Sequence, residues 1–276
     1  DPIDSEVIDS LDRLRVISQY AVGFDNIDIS AATKKGIKVT NTPGVLTETT
    51  ADFTWALILS VSRRITEADT YIREGKWNVA WAPKLLLGRD IFGATLGIIG
   101  LGRIGQAVAR RAAGFSMKIL YHTRRRSDEA VAIENVTGAE RKELGELLRE
   151  SDIVTVHVPL TSETCNMFGP EEFAMMKPGA IFVNTSRGSV VDEDALYHSL
   201  KSGHLAGAGL DVFGHEPVSL KNPLLEMPNV VVAPHIGSAS IDTRDRMAQI
   251  CSENLITALH GDMPKNLVNP EVLRNE

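Results

Sequence analysis

Short apolar runs alternate with amphipathic stretches along most of this chain. Near its start, residues 14–20 and 37–41 have the β-branched and apolar density of strands, with a short helical pattern at 29–35 between them. Residues 47–74 hold a helical period, with Trp55, Ala56, Leu57, Ile58 and Leu59 on its apolar face. A stretch rich in Trp, Pro and Gly follows at 77–88. From there, apolar runs at 94–99, 117–122, 153–158, 180–184, 207–212 and 230–233 predict strands, and the periods at 106–113, 142–149, 171–176 and 192–201 predict helices between them. A last long helix is expected over 240–260. Strands that are apolar throughout, rather than at every second position, are covered on both faces. The alternation therefore predicts an α/β fold with a doubly wound parallel sheet. The opening βαβ-like piece stands apart from this series, and the C-terminal segment is expected to return to it. Two domains follow: residues 1–46 with 237–276, and residues 47–236.

The run at 94–99 leads into Gly100-Leu101-Gly102-Arg103-Ile104-Gly105, and a helical pattern leads out. The first glycine permits a tight turn, the second lets a pyrophosphate reach the backbone, and the third lets helix pack on strand. Strand, glycine turn and helix in that order mark a Rossmann-type dinucleotide site; the plain alternative is a glycine-rich turn without a ligand. Candidate cofactor residues are Gly100, Gly102, Arg103, Ile104 and Gly105. The next strand ends beside the expected ribose, where an acid would accept from a 2′-hydroxyl. Here Thr123 is followed by Arg124, Arg125 and Arg126, with no acid before Asp128. A guanidinium fork suits a 2′-phosphate, so Thr123, Arg124 and Arg125 favour NADPH, with NADH as the other candidate and a solvated basic turn as the plain one.

Ligands of an open α/β sheet bind outside the carboxyl ends of its strands. Those positions carry Arg187 after the strand at 180–184, Asp211 and then Glu216 after the next, and His235 after the last. An arginine can hold a carboxylate and polarise the adjacent carbonyl, and a histidine can protonate the carbonyl oxygen as hydride arrives. A carboxylate beside the histidine favours the imidazolium form. Each residue alone would read as a solvated or structural side chain; all of them at successive strand ends point to ketone reduction.

Composition narrows the class further. With 43% hydrophobic and 24% charged residues over 276 positions, the chain suits a globular protein with a large core. A net charge of −7 gives nucleic-acid binding no bulk support. No apolar stretch is long enough to span a bilayer and no signal-peptide pattern opens the chain, so a cytoplasmic protein without membrane partners is expected. Cys165 and Cys251 have no metal-ligand spacing, and no metal is expected; they read as a loop thiol and a helix-packing residue. The chain starts at Asp1 rather than Met, which suggests missing upstream sequence.

Over essentially its whole length the sequence resembles the D-isomer-specific 2-hydroxyacid dehydrogenases. The matching segments are Tyr20-Ala21-Val22-Gly23-Phe24-Asp25-Asn26-Ile27-Asp28, Asn41-Thr42-Pro43-Gly44-Val45-Leu46-Thr47, the glycine loop, Asn184-Thr185-Ser186-Arg187-Gly188, Gly209-Leu210-Asp211-Val212-Phe213, His215-Glu216-Pro217 and Pro234-His235-Ile236-Gly237-Ser238. The resemblance implies that Arg187 binds the substrate carboxylate and carbonyl, that Glu216 pairs with the imidazole and that His235 is the acid–base. It also implies that the backbone amides of Val22 and Gly23 cap the carboxylate, and that Asp211 faces the nicotinamide carboxamide. Val158, Pro159, Thr185, Ser186, His235 and Gly237 join the cofactor site on the same ground. Within the family, the segment from Asn41 to Thr47 and the basic Thr123-Arg124-Arg125 are most similar to glyoxylate/hydroxypyruvate reductases. The implied reaction is NADPH-dependent reduction of glyoxylate and hydroxypyruvate to glycolate and D-glycerate. An NAD-dependent D-2-hydroxyacid dehydrogenase of the D-3-phosphoglycerate type, and a nucleotide-sensing corepressor-like binding protein, are the alternatives. The resemblance also implies a homodimer. Trp77, Trp81 and the leucines Leu85, Leu86 and Leu87 offer a surface for it, unless they pack within one subunit. Family members carry a strand, a helix and a second strand ahead of the position of Asp1. The second, smaller, flavodoxin-like substrate domain is therefore expected to be N-terminally incomplete here.

Overall fold

The structure, a computed structural model, describes residues 1–274. The chain divides into two compact units, one of Asp1–Thr49 with the segment from Ser238 onward, the other of Thr50–Gly237.

The first unit opens with α1 (Ser5–Asp9), β1 (Val16–Ser18), α2 (Ile29–Lys34) and β2 (Lys38–Thr40). Asp4 and Asp28 cap the two helices, each carboxylate accepting a backbone N–H three residues on at 2.9 Å. β1 and β2 pair in parallel, with Val16 opposite Lys38, and β2 also bridges the later chain, Thr40 pairing antiparallel with Leu267. Ile8, Ile17, Ile27, Ala32, Ile37 and Val39 form the core of this unit. The buried Asn269 fastens the later chain to it. Its Oδ1 accepts from Val39 N at 2.8 Å, and its Nδ2 donates to Ile37 O and Thr33 Oγ1, each at 2.9 Å.

The helix expected over 47–74 is in fact two, α3 (Thr47–Ser62) and α4 (Ile65–Arg73). Arg64 takes a left-handed conformation at φ +53°, and the Ser62 carbonyl accepts from Arg89 N at 2.8 Å instead of continuing the helix. A pairing partner 27 positions away leaves no mark on the local period, which is why hydrophobic spacing alone runs through the break.

The second unit continues with β3 (Thr95–Ile99), α5 (Arg103–Ala112), β4 (Lys118–His122), α6 (Asp128–Thr137), β5 (Glu140–Arg141), α7 (Leu144–Glu150), β6 (Ile153–Val156), α8 (Pro170–Met175), β7 (Ile181–Asn184), α9 (Glu193–Lys201), β8 (Gly207–Leu210) and β9 (Val230–Val232). The strands form one sheet in the order β5-β4-β3-β6-β7-β8-β9, every pair parallel. Alternate residues of the same strands face opposite cores. Leu96, Ile98, Ile119, Tyr121, Ile153, Ile181 and Val183 pack with α3 and α5, whereas Ile99, Leu120, Val154, Val156 and Phe182 pack with α7, α8 and α9. Both faces are thus covered, the physical meaning of the uninterrupted apolar runs. Among the elements without a counterpart in the sequence reading are α6 and β5. α6 is bounded by the Ser127 cap and the left-handed Gly138, signals that could have placed it. β5 is a charged, exposed edge pair with no apolar pattern to find.

Order reverses at β3, from which the chain runs outward to β4 and β5 on one side and to β6 through β9 on the other. That switch point opens a crevice at the carboxyl ends of the strands. After the sheet, α10 (Ile241–Leu259) belongs to the first unit. There Cys251 packs on β1, its Sγ donating to Ser18 O at 3.3 Å, while Cys165 is exposed in a turn. No helix among the described residues is long and apolar enough to cross a membrane.

Candidate active site

The glycine loop sits at the carboxyl end of β3. Gly100 has φ +94°, and a Cβ there would lie 2.8 Å from His157 O; one on Gly105 would lie 2.1 Å from Gly100 O. Only glycine lets this turn close and α5 seat against it. Over Gly102, by contrast, a Cβ would meet nothing within 4 Å, so the turn leaves an open hollow above its middle glycine. Gly102 is also the N-cap of α5 and, having no side chain, makes no side-chain cap bond to the first-turn amides of Arg103, Ile104 and Gly105. A hollow lined by helix-start N–H groups is what a pyrophosphate requires, and the residues present fit a dinucleotide.

The loop after β4 distributes its arginines unequally. Arg126 is anchored by a fork of hydrogen bonds to Glu134, which also accepts from the Tyr121 hydroxyl. The two donors hold the Glu134 carboxyl below its usual range, Arg126 first. Arg124 donates to Glu163 in the turn after β6, and Arg125 is exposed. Thr123 O accepts from Arg141 at 3.1 Å. Val158 and Pro159 begin the segment after β6, where Pro159 O accepts from Thr164 Oγ1 at 2.6 Å.

At the ends of β7, β8 and β9, adjacent in the sheet, the expected catalytic side chains appear in order. His235 Nδ1 lies 2.7 Å from Glu216 Oε2, and Glu216 Oε1 accepts from Phe213 N at 3.0 Å. The carboxylate is thus aimed by the backbone and in turn orients the imidazole. His235 itself has φ +54°, a conformation costly for a non-glycine residue and held here by its neighbours. Its N–H donates to Asp211 O at 2.8 Å, and the next amides, Ile236 N and Gly237 N, donate to the two Asp211 carboxylate oxygens at 2.8 and 2.7 Å. Burial pushes the Asp211 carboxyl above its usual range, against the pull of those two amides. Asp211 is only 1% exposed, and both its oxygens serve the histidine loop.

Arg187 follows β7 on a loop held by the buried Asn184. Asn184 Nδ2 donates to Arg187 O at 2.9 Å, and its Oδ1 accepts from Ser186 N and Oγ at 3.0 and 2.9 Å. The Thr185 hydroxyl pairs with Thr54 at 2.9 Å. A Cβ on Gly188 would overlap the Phe213 backbone at 1.8 Å, so the arginine loop lies directly on the segment that aims Glu216. Asn184 and Gly188 are positioning residues that the sequence reading quoted within a motif without a role; their strand-end location was the available signal. In the first unit, Val22 and Gly23 lie on a loop fixed through their carbonyls, which accept from Asn41 at 2.8 Å and Gln19 at 3.1 Å. Among the described residues, no group of three or more His, Cys, Asp or Glu side chains could hold a metal.

The chain is similar to known proteins over most of its length. Residues 55–237 match the family described as D-isomer specific 2-hydroxyacid dehydrogenase, NAD binding domain. A glyoxylate reductase of Korarchaeum cryptofilum is 58% identical over 274 residues, which cover 99% of this chain and 82% of the relative. Among solved structures, the NADPH-dependent glyoxylate/hydroxypyruvate reductase of Sinorhizobium meliloti, in complex with NADP and malonate, is 36% identical with a TM-score of 0.87, over 96% of this chain and 81% of that one. The D-lactate dehydrogenase of Aquifex aeolicus, complexed with NAD and lactic acid, is 32% identical with a TM-score of 0.88, over 98% of this chain and 84% of that one.

Proposed function

Because the chain belongs to the D-isomer-specific 2-hydroxyacid dehydrogenases, we propose that it uses NADPH to reduce glyoxylate and hydroxypyruvate to glycolate and D-glycerate. It is an oxidoreductase; a nicotinamide cofactor and a small 2-oxo acid are its reactants. The observation that carries the catalytic reading is the 2.7 Å pair of His235 and Glu216 at the end of the sheet that bears the glycine loop. The bound nicotinamide supplies hydride to the carbonyl carbon. His235 Nε2 gives the carbonyl oxygen its proton, and Glu216 on the opposite ring nitrogen stabilises the charged imidazole that donates it. Arg187 holds the substrate carboxylate and polarises the carbonyl, with the amides of Val22 and Gly23 as further donors to the carboxylate. Asp211 would face the nicotinamide carboxamide, its carboxylate keeping lone pairs beyond the two its loop amides occupy. Gly100 to Gly105 would cradle the pyrophosphate. Thr123, Arg124 and Arg125 would hold the 2′-phosphate, with Val158, Pro159, Thr185, Ser186 and Gly237 completing the cofactor wall.

NADPH is favoured over NADH by the absence of an acid after β4 and by two arginines there besides the anchored Arg126. The protein works as a homodimer through the loop that carries Trp81 and Leu87, exposed at 76% and 62%. Initial rates with each nucleotide and each 2-oxo acid test the reading. Equal or better use of NADH removes the cofactor assignment, and near-normal turnover by His235→Ala removes the acid, whose loss should cost about 10²–10⁴-fold.

A further inference from the structure

β4 and β6 both pair with β3, one on each side, so the loops that follow them flank the carboxyl end of β3 where the glycine loop begins. Arg124 Nη1 joins these loops by donating to the Glu163 carboxylate. Glu163 is presented by a fixed turn. Thr164 Oγ1 donates to Pro159 O at 2.6 Å, Thr161 N donates to Thr164 Oγ1 at 2.8 Å, and Cys165 N donates to Thr161 O at 2.9 Å. The partner of Arg126, by contrast, lies on α6 within the same side of the crevice. Among the described residues, the ion pair that crosses the crevice therefore uses an arginine proposed for the 2′-phosphate.

We propose that Glu163 is a specificity-determining residue that acts as an anionic latch, occupying the Arg124 guanidinium that a 2′-phosphate must take. This rests on the NADPH reading above. A 2′-phosphate and the Glu163 carboxylate compete for the same donors, and whichever is not bound remains a nearby like charge. A 2′-hydroxyl makes no such demand and leaves the pair intact. Both side chains are well exposed, 72% for Arg124 and 64% for Glu163, so water replaces the carboxylate at small cost and the exchange stays reversible. Glu163 thus weakens binding of the phosphorylated nucleotide alone and narrows the gap between the two cofactors. For an exposed pair, the effect is about two- to fivefold in affinity.

Calorimetric titration of the wild-type protein and of Glu163→Gln with NADPH, NADH, 2′,5′-ADP and 5′-ADP tests this without turnover. The glutamine variant should bind NADPH and 2′,5′-ADP about two- to fivefold more tightly, with NADH and 5′-ADP unchanged and the melting temperature unaltered. Glu163→Ala should behave alike. Unchanged or weaker binding of 2′,5′-ADP by both variants overturns the latch, the weaker case meaning that Glu163 orients Arg124 instead. The cofactor reading is judged separately, on the wild-type protein. Should it bind 5′-ADP as tightly as 2′,5′-ADP, the NADPH assignment fails, while the ratio of variant to wild type still decides the role of Glu163.

Discussion

Replacing Asp211 by Asn keeps the shape of the side chain and removes half of what it does. Its two carboxylate oxygens accept from Ile236 N at 2.8 Å and Gly237 N at 2.7 Å, in a position 1% exposed. An asparagine has one acceptor oxygen and turns an NH₂ toward the other amide. One charge-assisted bond is lost and a buried donor is left unpaired, a cost of about 1–3 kcal/mol. Against this, burial holds the Asp211 carboxyl above its usual range, so the carboxylate carries a desolvation penalty that a neutral amide escapes. The net expectation is a loss of about 1–2 kcal/mol in urea unfolding at pH 7. The sign with pH follows. A carboxyl raised in the fold contributes stability below its unfolded value and loses it as pH rises through the folded one, a component that Asp211→Asn lacks. Activity should suffer more than stability. The freed amides follow His235 directly, its φ of +54° needs external support, and displacement of a catalytic group by about 1 Å costs on the order of 10²-fold. We therefore expect kcat to fall by about 10–10²-fold, with KM changed less. A variant that unfolds at the wild-type urea midpoint and turns over normally would refute the claim that Asp211 holds the histidine loop.

Other outcomes follow from the same geometry. Glu216→Gln removes the charge 2.7 Å from His235 in a half-exposed pair, and should cost about five- to tenfold in kcat while leaving the melting temperature in place; full activity would mean the pair is incidental. Gly105→Ala puts a methyl 2.1 Å from Gly100 O and should destabilise the fold by about 1–3 kcal/mol and weaken nucleotide binding in titration, whereas an unchanged affinity would relocate the pyrophosphate. Burial depresses the partly buried His157 to about 3, so it stays neutral in the fold while the unfolded chain takes up its proton below about pH 6.5. Stability should then fall as pH drops through that window by up to about 1.4 kcal/mol per unit, and His157→Gln should flatten the slope in urea titrations at pH 4.5 and 7; equal slopes would exclude this histidine as the cause. Trp81→Glu together with Leu87→Glu should shift the protein from dimer to monomer in sedimentation, and an unchanged mass would place the interface elsewhere.

Much of the site is legible along the chain because its signals are local. Strand, glycine turn and helix lie within about twenty positions, and the clash that makes Gly105 a glycine arises inside that turn from Gly100 O, although the one at Gly100 comes from His157 and Val158 after β6. Arg187, Glu216 and His235 stand out by following apolar runs, a property that needs no knowledge of sheet order. The caps of α1, α2 and α6 are equally local, although none of the three was read.

Partnerships are another matter. That Arg126 is committed to Glu134 while Arg124 reaches Glu163 cannot be seen in three consecutive arginines of identical chemistry; it depends on β4 and β6 flanking β3. The break of the long helix at Arg64 depends on the amide of Arg89, and the two-handed grip of Asp211 depends on a loop 25 residues away. Local chain stiffness and apolar patterning specify which residues form elements and end them. Which polar groups find each other is set by strand order and close packing, because hydrogen bonds and ion pairs act only over a few ångströms and the sheet decides who stands within that reach.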